Sequence, residues 1–335
     1  MKKLFIVFIL LGILFFTFFG ECFSEEEIPI GMAVEFMDHA ASAYISHEKG
    51  WFEEEGLKLT SYESYVTGMA LASALARGDI QVAYMCLVPA INVYANAKVP
   101  IKIVAGTHKY GYGLVVDADK VRTLQDLERK DIRIGCVREG GAVDVLFHKT
   151  IDEYGLDEEK VLNNIQRMNP PKQILAIQMG KLDAAFLPEQ WATIAENYGF
   201  KMLLMSQDVW PAMQGSVIVV KKELIRDHPE IVKKLVIVSD KATDWINQNM
   251  YAAAEVVARQ LQKAGGNLFP DQLSDITNRI EISPDVLFRS MKKLNYTANI
   301  NPEIVQETID YMAQLGYIKK TFKAGDILDL RFLEE

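Results

Sequence analysis

The chain has 335 residues, half of them hydrophobic and a tenth aromatic, with 36 basic against 45 acidic side chains and a formal net charge of -9. That length supplies two cores of ordinary domain size. The lysines are dispersed among acids and form no basic stripe, which argues against nucleic acid as a partner, because phosphate neutralisation needs clustered Lys and Arg.

In chain order, the first 24 residues read as a separate object. Lys2 and Lys3 precede an apolar run from Leu4 to Phe19, and small or polar residues follow at Gly20, Cys22 and Ser24. This is the pattern of a secretory signal, and the run is shorter than the roughly 20 residues a spanning helix needs. A lipoprotein signal wants a small residue before its cysteine, and Glu21 stands there. The expected mature product is therefore soluble and extracytoplasmic from about residue 25.

Strands and helices then alternate. The pattern predicts a strand over 28–34, a helix over 40–54 ended by Gly56, and a strand over 57–61. A helix over 68–76 ended by Gly78, a strand over 80–85, a helix over 89–97 opened by Pro89 and a strand over 101–105 follow. A short strand at 113–116 leads to Thr123, placed to cap a small helix. A second series follows: strand 132–137, helix 141–154, strand 165–168, helix 171–179, strand 182–187, helix 191–197 and strand 200–205. Residues 215–220 mirror 113–116, so 113–117 and 215–220 are expected to be the two strands of a hinge. Helices are expected over 230–247, 251–264, 271–278, 284–294 and 302–315, closing over the first lobe.

The two series repeat each other. Ile28-Pro29-Ile30-Gly31-Met32 returns as Ile132-Arg133-Ile134-Gly135-Cys136, and Gly56-Leu57 and Gly78 return as Gly155-Leu156 and Gly180. Three matches in the same order indicate pseudo-duplication. The implied fold is α/β, two similar doubly wound lobes with a cleft between them, where ligands meet the carboxyl ends of the strands. Outside the signal the cysteines are Cys86 and Cys136, one in each half, read as buried free thiols. The histidines (39, 47, 108, 148, 228) and cysteines show no zinc-ligand spacing, so no metal and no cofactor is expected.

The strand-end loops supply the candidate ligand residues: Asp38, Tyr62 and His108 from the first lobe, facing Arg138, Gly141, Glu189 and Trp191 from the second. Arg138-Glu-Gly-Gly-Ala142 lies between a strand and a helix, where backbone N–H groups and a guanidinium suit an anion. Trp191 beside Glu189 offers an aromatic wall for a planar or cationic group, or else fills the core of the second lobe. Glu35, Asp38, Glu63, Glu139 and Glu189 disfavour a bare oxyanion and suit a solute with N–H donors.

The segment Tyr44-Ile-Ser-His-Glu-Lys-Gly-Trp-Phe-Glu-Glu-Glu-Gly-Leu-Lys-Leu59 resembles the signature of ABC-transporter substrate-binding proteins of the nitrate, sulfonate and taurine branch, which also carries thiamine-pyrimidine precursors. Val99-Pro100-Ile101-Lys102, Thr123 to Gly135 and Glu189-Gln190-Trp191 extend the resemblance over about residues 28–240. It implies the two-lobed, type II periplasmic-binding-protein-like fold, with a signal peptide at 1–24, one lobe from 25–117 and 216–335, and the other from 118–215. It implies a monomeric periplasmic receptor that hands a small-molecule solute to a cognate permease and its ATPase. An enzyme on the same scaffold, like a pyrimidine synthase or a menaquinone-pathway enzyme, is the competing reading. Against it stand the missing cysteine-rich cluster and the absence of a nucleophile–base pair. The Ser and Thr hydroxyls of sulfonate-binding relatives are replaced here by Gly140, Gly141, Ala142 and Val143.

Overall fold

The computed structural model describes residues 30–268 and 282–333. The expected signal segment and the expected helix over 271–278 lie outside these residues. The first lobe begins with β1 (Ile30–Glu35), a 3-10 turn (Asp38–Ala40), α1 (Ala41–Glu48), α2 (Trp51–Glu54) and β2 (Leu59–Tyr65). It continues through α3 (Gly68–Arg77), β3 (Val82–Cys86), α4 (Leu87–Ala95) and β4 (Ile101–Lys109). The second series is β5 (Tyr112–Val116), a 3-10 turn (Leu124–Glu128), β6 (Ile134–Cys136), α5 (Ala142–Tyr154), α6 (Glu158–Asn163) and β7 (Ile165–Arg167). It ends with α7 (Pro170–Gln178), β8 (Ala184–Pro188), α8 (Glu189–Glu196), β9 (Lys201–Met205) and α9 (Ser206–Val209). Then come β10 (Gln214–Lys221), α10 (Lys222–Asp227), α11 (Pro229–Gln248), α12 (Met250–Leu268), α13 (Pro284–Met291), β11 (Asn295–Tyr296), α14 (Pro302–Gln314) and α15 (Ala324–Ile327).

Two sheets result, ordered β11-β4-β10-β3-β1-β2 and β7-β6-β8-β5-β9. β1 runs parallel to β2 and β3, and β6 runs parallel to β7 and β8. β10 runs against both its neighbours in the first sheet, where the short edge strand β11 also runs against β4, and β5 runs against both its neighbours in the second. β1, β3, β5 and β8 are buried along their whole length, as strands covered by helices on both faces must be.

The sequence repeat is structural. Gly56, Gly78, Gly155 and Gly180 all hold positive φ (+72°, +98°, +60° and +63°) at helix ends, where only glycine takes the left-handed turn without strain. Gly31 and Gly135 sit at matching places in β1 and β6, and a Cβ on either would press to 2.6 Å from the Asp79 carbonyl or 2.7 Å from Gln173 Oε1.

Three expectations need correction. The helix over 40–54 is broken at Gly50, whose φ of +72° no α-helix accommodates. The strands at 113–116 and 215–220 are not the lobe crossings: β5 belongs wholly to the second sheet and β10 to the first, so their backbone groups are locked in ladders. The chain passes between sheets at Tyr110–Gly111 and again over 210–213, which moves the boundary expected at 117 to about 110. The two passages are tied together, since the Tyr110 N–H donates to the Met213 carbonyl at 3.1 Å and the Tyr110 hydroxyl to the Pro211 carbonyl at 2.9 Å. The C-terminal helices, finally, do not close over the first lobe alone. Arg289 of α13 donates to Asn197 beside α8 at 2.6 Å, and the Tyr311 hydroxyl of α14 donates to Asp152 of α5 at 2.7 Å.

The Gly50-Trp51-Phe52 motif is structural, as read. Phe52 is fully buried, and Trp51 packs edge-on to Trp245 with the Lys241 ammonium 4.4 Å from its ring. The outward Glu54 pairs with the same Lys241 at 3.4 Å.

The glycine pairs separate two kinds of constraint. Gly31→Ala has no room against a backbone oxygen and should destabilise the fold by about 2 kcal/mol or more. Gly78→Ala meets nothing within 4 Å and should cost only the left-handed strain, about 1–2 kcal/mol. Urea unfolding of both variants measures this, and a Gly31→Ala variant as stable as the parent would contradict the equivalence of the two strands.

Candidate functional site

A cavity of about 300 Å³ lies between the lobes. Its first-lobe wall comes from the ends of β1, β2 and β3 and the helices that follow; its second-lobe wall comes from the loops after β6, β7 and β8. Five helices begin on it. The N-cap residues of α3, α4, α5, α7 and α8 are Thr67, Cys86, Gly141, Asn169 and Pro188, and all five line the cavity. The duplication explains the convergence: α3 and α7 follow matching strands, as do α4 and α8. Each helix start brings the positive end of its dipole to the cavity, although Thr67 and Asn169 already cap the Ala70 and Lys172 N–H groups and the Gly111 carbonyl takes the Glu189 N–H.

The side chains add to that field. Arg138 and Arg167 line the cavity from the second lobe. Arg167 is committed to its own lobe, bonding Asp144 and donating to the Val137 carbonyl at 2.8 Å. Among the described residues no carboxylate pairs with Arg138, which leaves its guanidinium for a solute. Asp144, fully buried, also accepts from the Gly140 N–H at 3.0 Å and from Tyr317 at 2.5 Å, so it fixes the Arg138–Gly141 loop. The remaining wall is apolar: Met37, Val66, Met69, Pro89, Val143 and Met168.

Glu35 is the one carboxylate on the wall. Burial pushes its carboxyl up to about 7, opposed by hydrogen bonds from Cys86. It accepts from the Cys86 N–H at 3.1 Å and from the Cys86 thiol at 2.9 Å, and the Tyr112 hydroxyl donates to the same sulfur at 3.0 Å. Behind them His39 is fully buried, its Nε2–H donating to the Gly111 carbonyl at 2.8 Å.

Of the seven residues expected from sequence, Arg138 and Gly141 line the cavity and five do not. Trp191 is fully buried in the core, 6.2 Å from the Phe36 ring, and offers no wall to a solute. Tyr62 stacks on His47 at 4.2 Å and lines a separate surface recess. His108 packs against His39 at 4.2 Å, and burial lowers its imidazole to about 3, so it is neutral.

Asp38 and Glu189 belong to a clasp between the lobes and α13. The Asp38 N–H donates to Gln190 Oε1 at 2.9 Å, its carboxylate accepts from Ser290, and burial above all lifts the carboxyl to about 7. Glu189 takes an ion pair from Lys293 at 2.9 Å and a hydrogen bond from Thr193 at 2.9 Å, while burial raises its carboxyl. Glu63 is engaged by the Tyr65 hydroxyl at 2.7 Å, and Glu139 is exposed. Of the five carboxylates expected to repel an oxyanion, only Glu35 therefore faces the cavity. Sequence reasoning passed over Thr67, Arg167 and Asn169. Thr67 and Asn169 carry a signal, being N-cap residues just before helices at matching places in the two halves.

The sequence profile of the NMT1-like family matches residues 24–261. A taurine-binding periplasmic protein of Escherichia coli is 26% identical over 207 residues, covering 61% of this chain and 62% of that protein, so the match spans under two thirds of the relative. The alkanesulfonate-binding protein of Xanthomonas axonopodis pv. citri, solved bound to MOPS, superposes with a TM-score of 0.72 at 14% identity, covering 90% of this chain and 98% of that one. The periplasmic nitrate-binding protein of Synechocystis PCC 6803 superposes at 0.71 with 14% identity, covering 92% and 88%. These similarities bear out the expected two-lobed binding-protein fold.

The clasp yields a pH-dependent prediction. A carboxyl whose folded pKa is raised contributes stability fully below its unfolded value near 4.5, and that contribution is lost as pH rises through the folded value. Lys293→Ala removes the cation beside buried Glu189, so the loss should deepen with rising pH. Urea unfolding is expected to show a deficit of about 2 kcal/mol at pH 8 that shrinks toward pH 5. Adding Glu189→Gln should restore most of it. A deficit independent of pH would remove Glu189 from the explanation.

Proposed function

Because the chain belongs to the NMT1-like family, we propose that it is the extracytoplasmic solute-binding component of an ABC importer, a monomer that closes its lobes on a small organic anion and presents it to a membrane permease. The observation that carries the anion is the convergence of five helix N-termini and the unpaired Arg138 on one cavity. Carboxylates that would oppose it are withdrawn into the clasp, and Glu35 is held up to about 7 by burial. A cavity of about 300 Å³ with methionine, valine and proline walls suits a sulfonate or carboxylate with an apolar body better than a bare nitrate. Among the described residues no helix is long and apolar enough to cross a membrane, in keeping with a receptor that relies on a separate permease. The taurine, alkanesulfonate and nitrate proteins it resembles are binding proteins, and the enzyme reading has no such support.

Glu35 on the wall favours one second reading, a solute bearing N–H donors such as an aminopyrimidine. Calorimetry with taurine, a longer alkanesulfonate, an aromatic carboxylate and an aminopyrimidine separates the two. Native mass spectrometry of the purified protein identifies any solute it retains.

Arg138→Ala should weaken capture of the organic anion by about 10–100-fold while leaving unfolding unchanged, the loss expected for a charge-assisted hydrogen bond. Equal affinity in parent and variant would exclude Arg138 from the site. The lobes should also pivot at 110–111 and 210–213, giving a smaller radius of gyration by X-ray scattering with solute than without. Identical radii would count against a closing receptor.

A further inference from the structure

Three groups that no spacing in the sequence connects meet at the floor of the cavity. The carboxylate of Glu35, an imidazole nitrogen of His39 and the sulfur of Cys86 each offer one donor atom, and these atoms all lie within 4.8 Å of one another. Cys86 Sγ is 2.9 Å from Glu35 Oε2 and 4.0 Å from His39 Nδ1. Donor atoms around tetrahedral zinc, with bonds of about 2.0–2.3 Å, lie roughly 3.3–3.8 Å apart. Shifts of about half an ångström on either side of the sulfur reach that geometry, and the Glu35 oxygen and the His39 nitrogen, within 4.8 Å of each other, close toward the same spacing as the metal enters.

The surroundings hold the donors in the right form. His39 spends its Nε2–H on the Gly111 carbonyl at 2.8 Å, which leaves Nδ1 with a lone pair turned toward Cys86. A backbone carbonyl on the far nitrogen is the outer-shell partner that metal-bound histidines use. Two glycines keep the space open: a Cβ at Gly68 would lie 2.2 Å from Glu35 Oε1, and one at Gly111 would lie 2.7 Å from His39 Nε2. Glu35, Cys86 and Tyr112 line the cavity, so an entry path exists and one side of the cluster faces solute rather than protein.

We propose that Glu35, His39 and Cys86 bind a thiophilic divalent cation, zinc in the first instance, with the fourth coordination position open to the interlobe cavity. On binding, the Cys86 S–H bond breaks as the sulfur–metal bond forms, and the proton leaves through the cavity to bulk water; no oxidation state changes. One thiolate and one carboxylate balance the two positive charges, so the occupied site is itself neutral; relative to the Glu35 carboxylate and the Cys86 thiol, uptake of the cation with loss of one proton adds one positive charge. A metal with an open position would grip the anionic head of a solute, but the site rests on its own three residues and is tested without any solute.

The chain expressed with its leader, recovered after export and stripped with a chelator, is titrated with zinc chloride alone by calorimetry. One zinc per chain is expected, with affinity reduced about 100-fold or more in Cys86→Ser and in His39→Gln and unchanged in Cys136→Ser. Cobalt(II) in the parent and in Cys136→Ser should give the near-ultraviolet thiolate-to-cobalt charge-transfer absorption, a readout that needs no change at the site. Absence of zinc uptake, zinc binding that survives both Cys86→Ser and His39→Gln, or a cobalt spectrum without the thiolate band would each overturn the proposal. Failure of anion capture in the solute panel would leave this result untouched, and the reverse holds too.

Discussion

The carbonyl of Gly111 is the joint on which the two halves are set. It accepts from the His39 imidazole of the first lobe at 2.8 Å and from the Glu189 N–H at the start of α8 in the second at 2.9 Å. The residue holds φ at +93°, and a side chain there would strike His39. One buried acceptor with two donors from opposite lobes holds both walls to the passage at Gly111, the point about which they are proposed to pivot. The β4-to-β5 passage, the start of α8 and the 3-10 turn after β1 all take their positions from it.

The electrostatics of the cleft follow from sorting rather than from net charge. The chain carries an excess of acids, yet the cavity collects helix N-termini and arginines while Asp38 and Glu189 are drawn aside into hydrogen bonds with Ser290, Thr193 and Lys293. Burying those carboxylates is costly, and the Lys293 ammonium just beyond α13 with the hydroxyls of Ser290 on α13 and Thr193 on α8 offset the cost. A positive field inside an acidic protein is thus a matter of where the backbone starts its helices.

Alternation of strand and helix, the paired glycines and the loop at Arg138–Gly141 were all legible in the sequence, because each is a local pattern with a local cause. What was not legible was which strand-end residue turns inward. Asp38 and Glu189 stand next to the cavity residues Met37 and Pro188 in the chain, and Trp191 stands three residues beyond Pro188, so a step of one to three residues moves a side chain from cavity to core. The crossings were misplaced for a related reason: the strands at 113–116 and 215–220 mirror each other because they are equivalent members of two sheets, and equivalence says nothing about where the sheets part. The meeting of Glu35, His39 and Cys86 depends on β1 lying beside β3, a long-range pairing that no spacing rule encodes.

The exchanged strands carry a consequence for how the molecule is made. The first sheet needs β10 wedged between β3 and β4, and β10 is not synthesised until residues 214–221 emerge. An amino-terminal half leaving the ribosome therefore has a gap at the centre of its sheet, and pairings of high sequence separation must wait for loop closure. The same topology means that cutting the gene between β5 and β6 yields two fragments that each lack an interior strand, β10 in one and β5 in the other, so neither repeat completes its sheet alone.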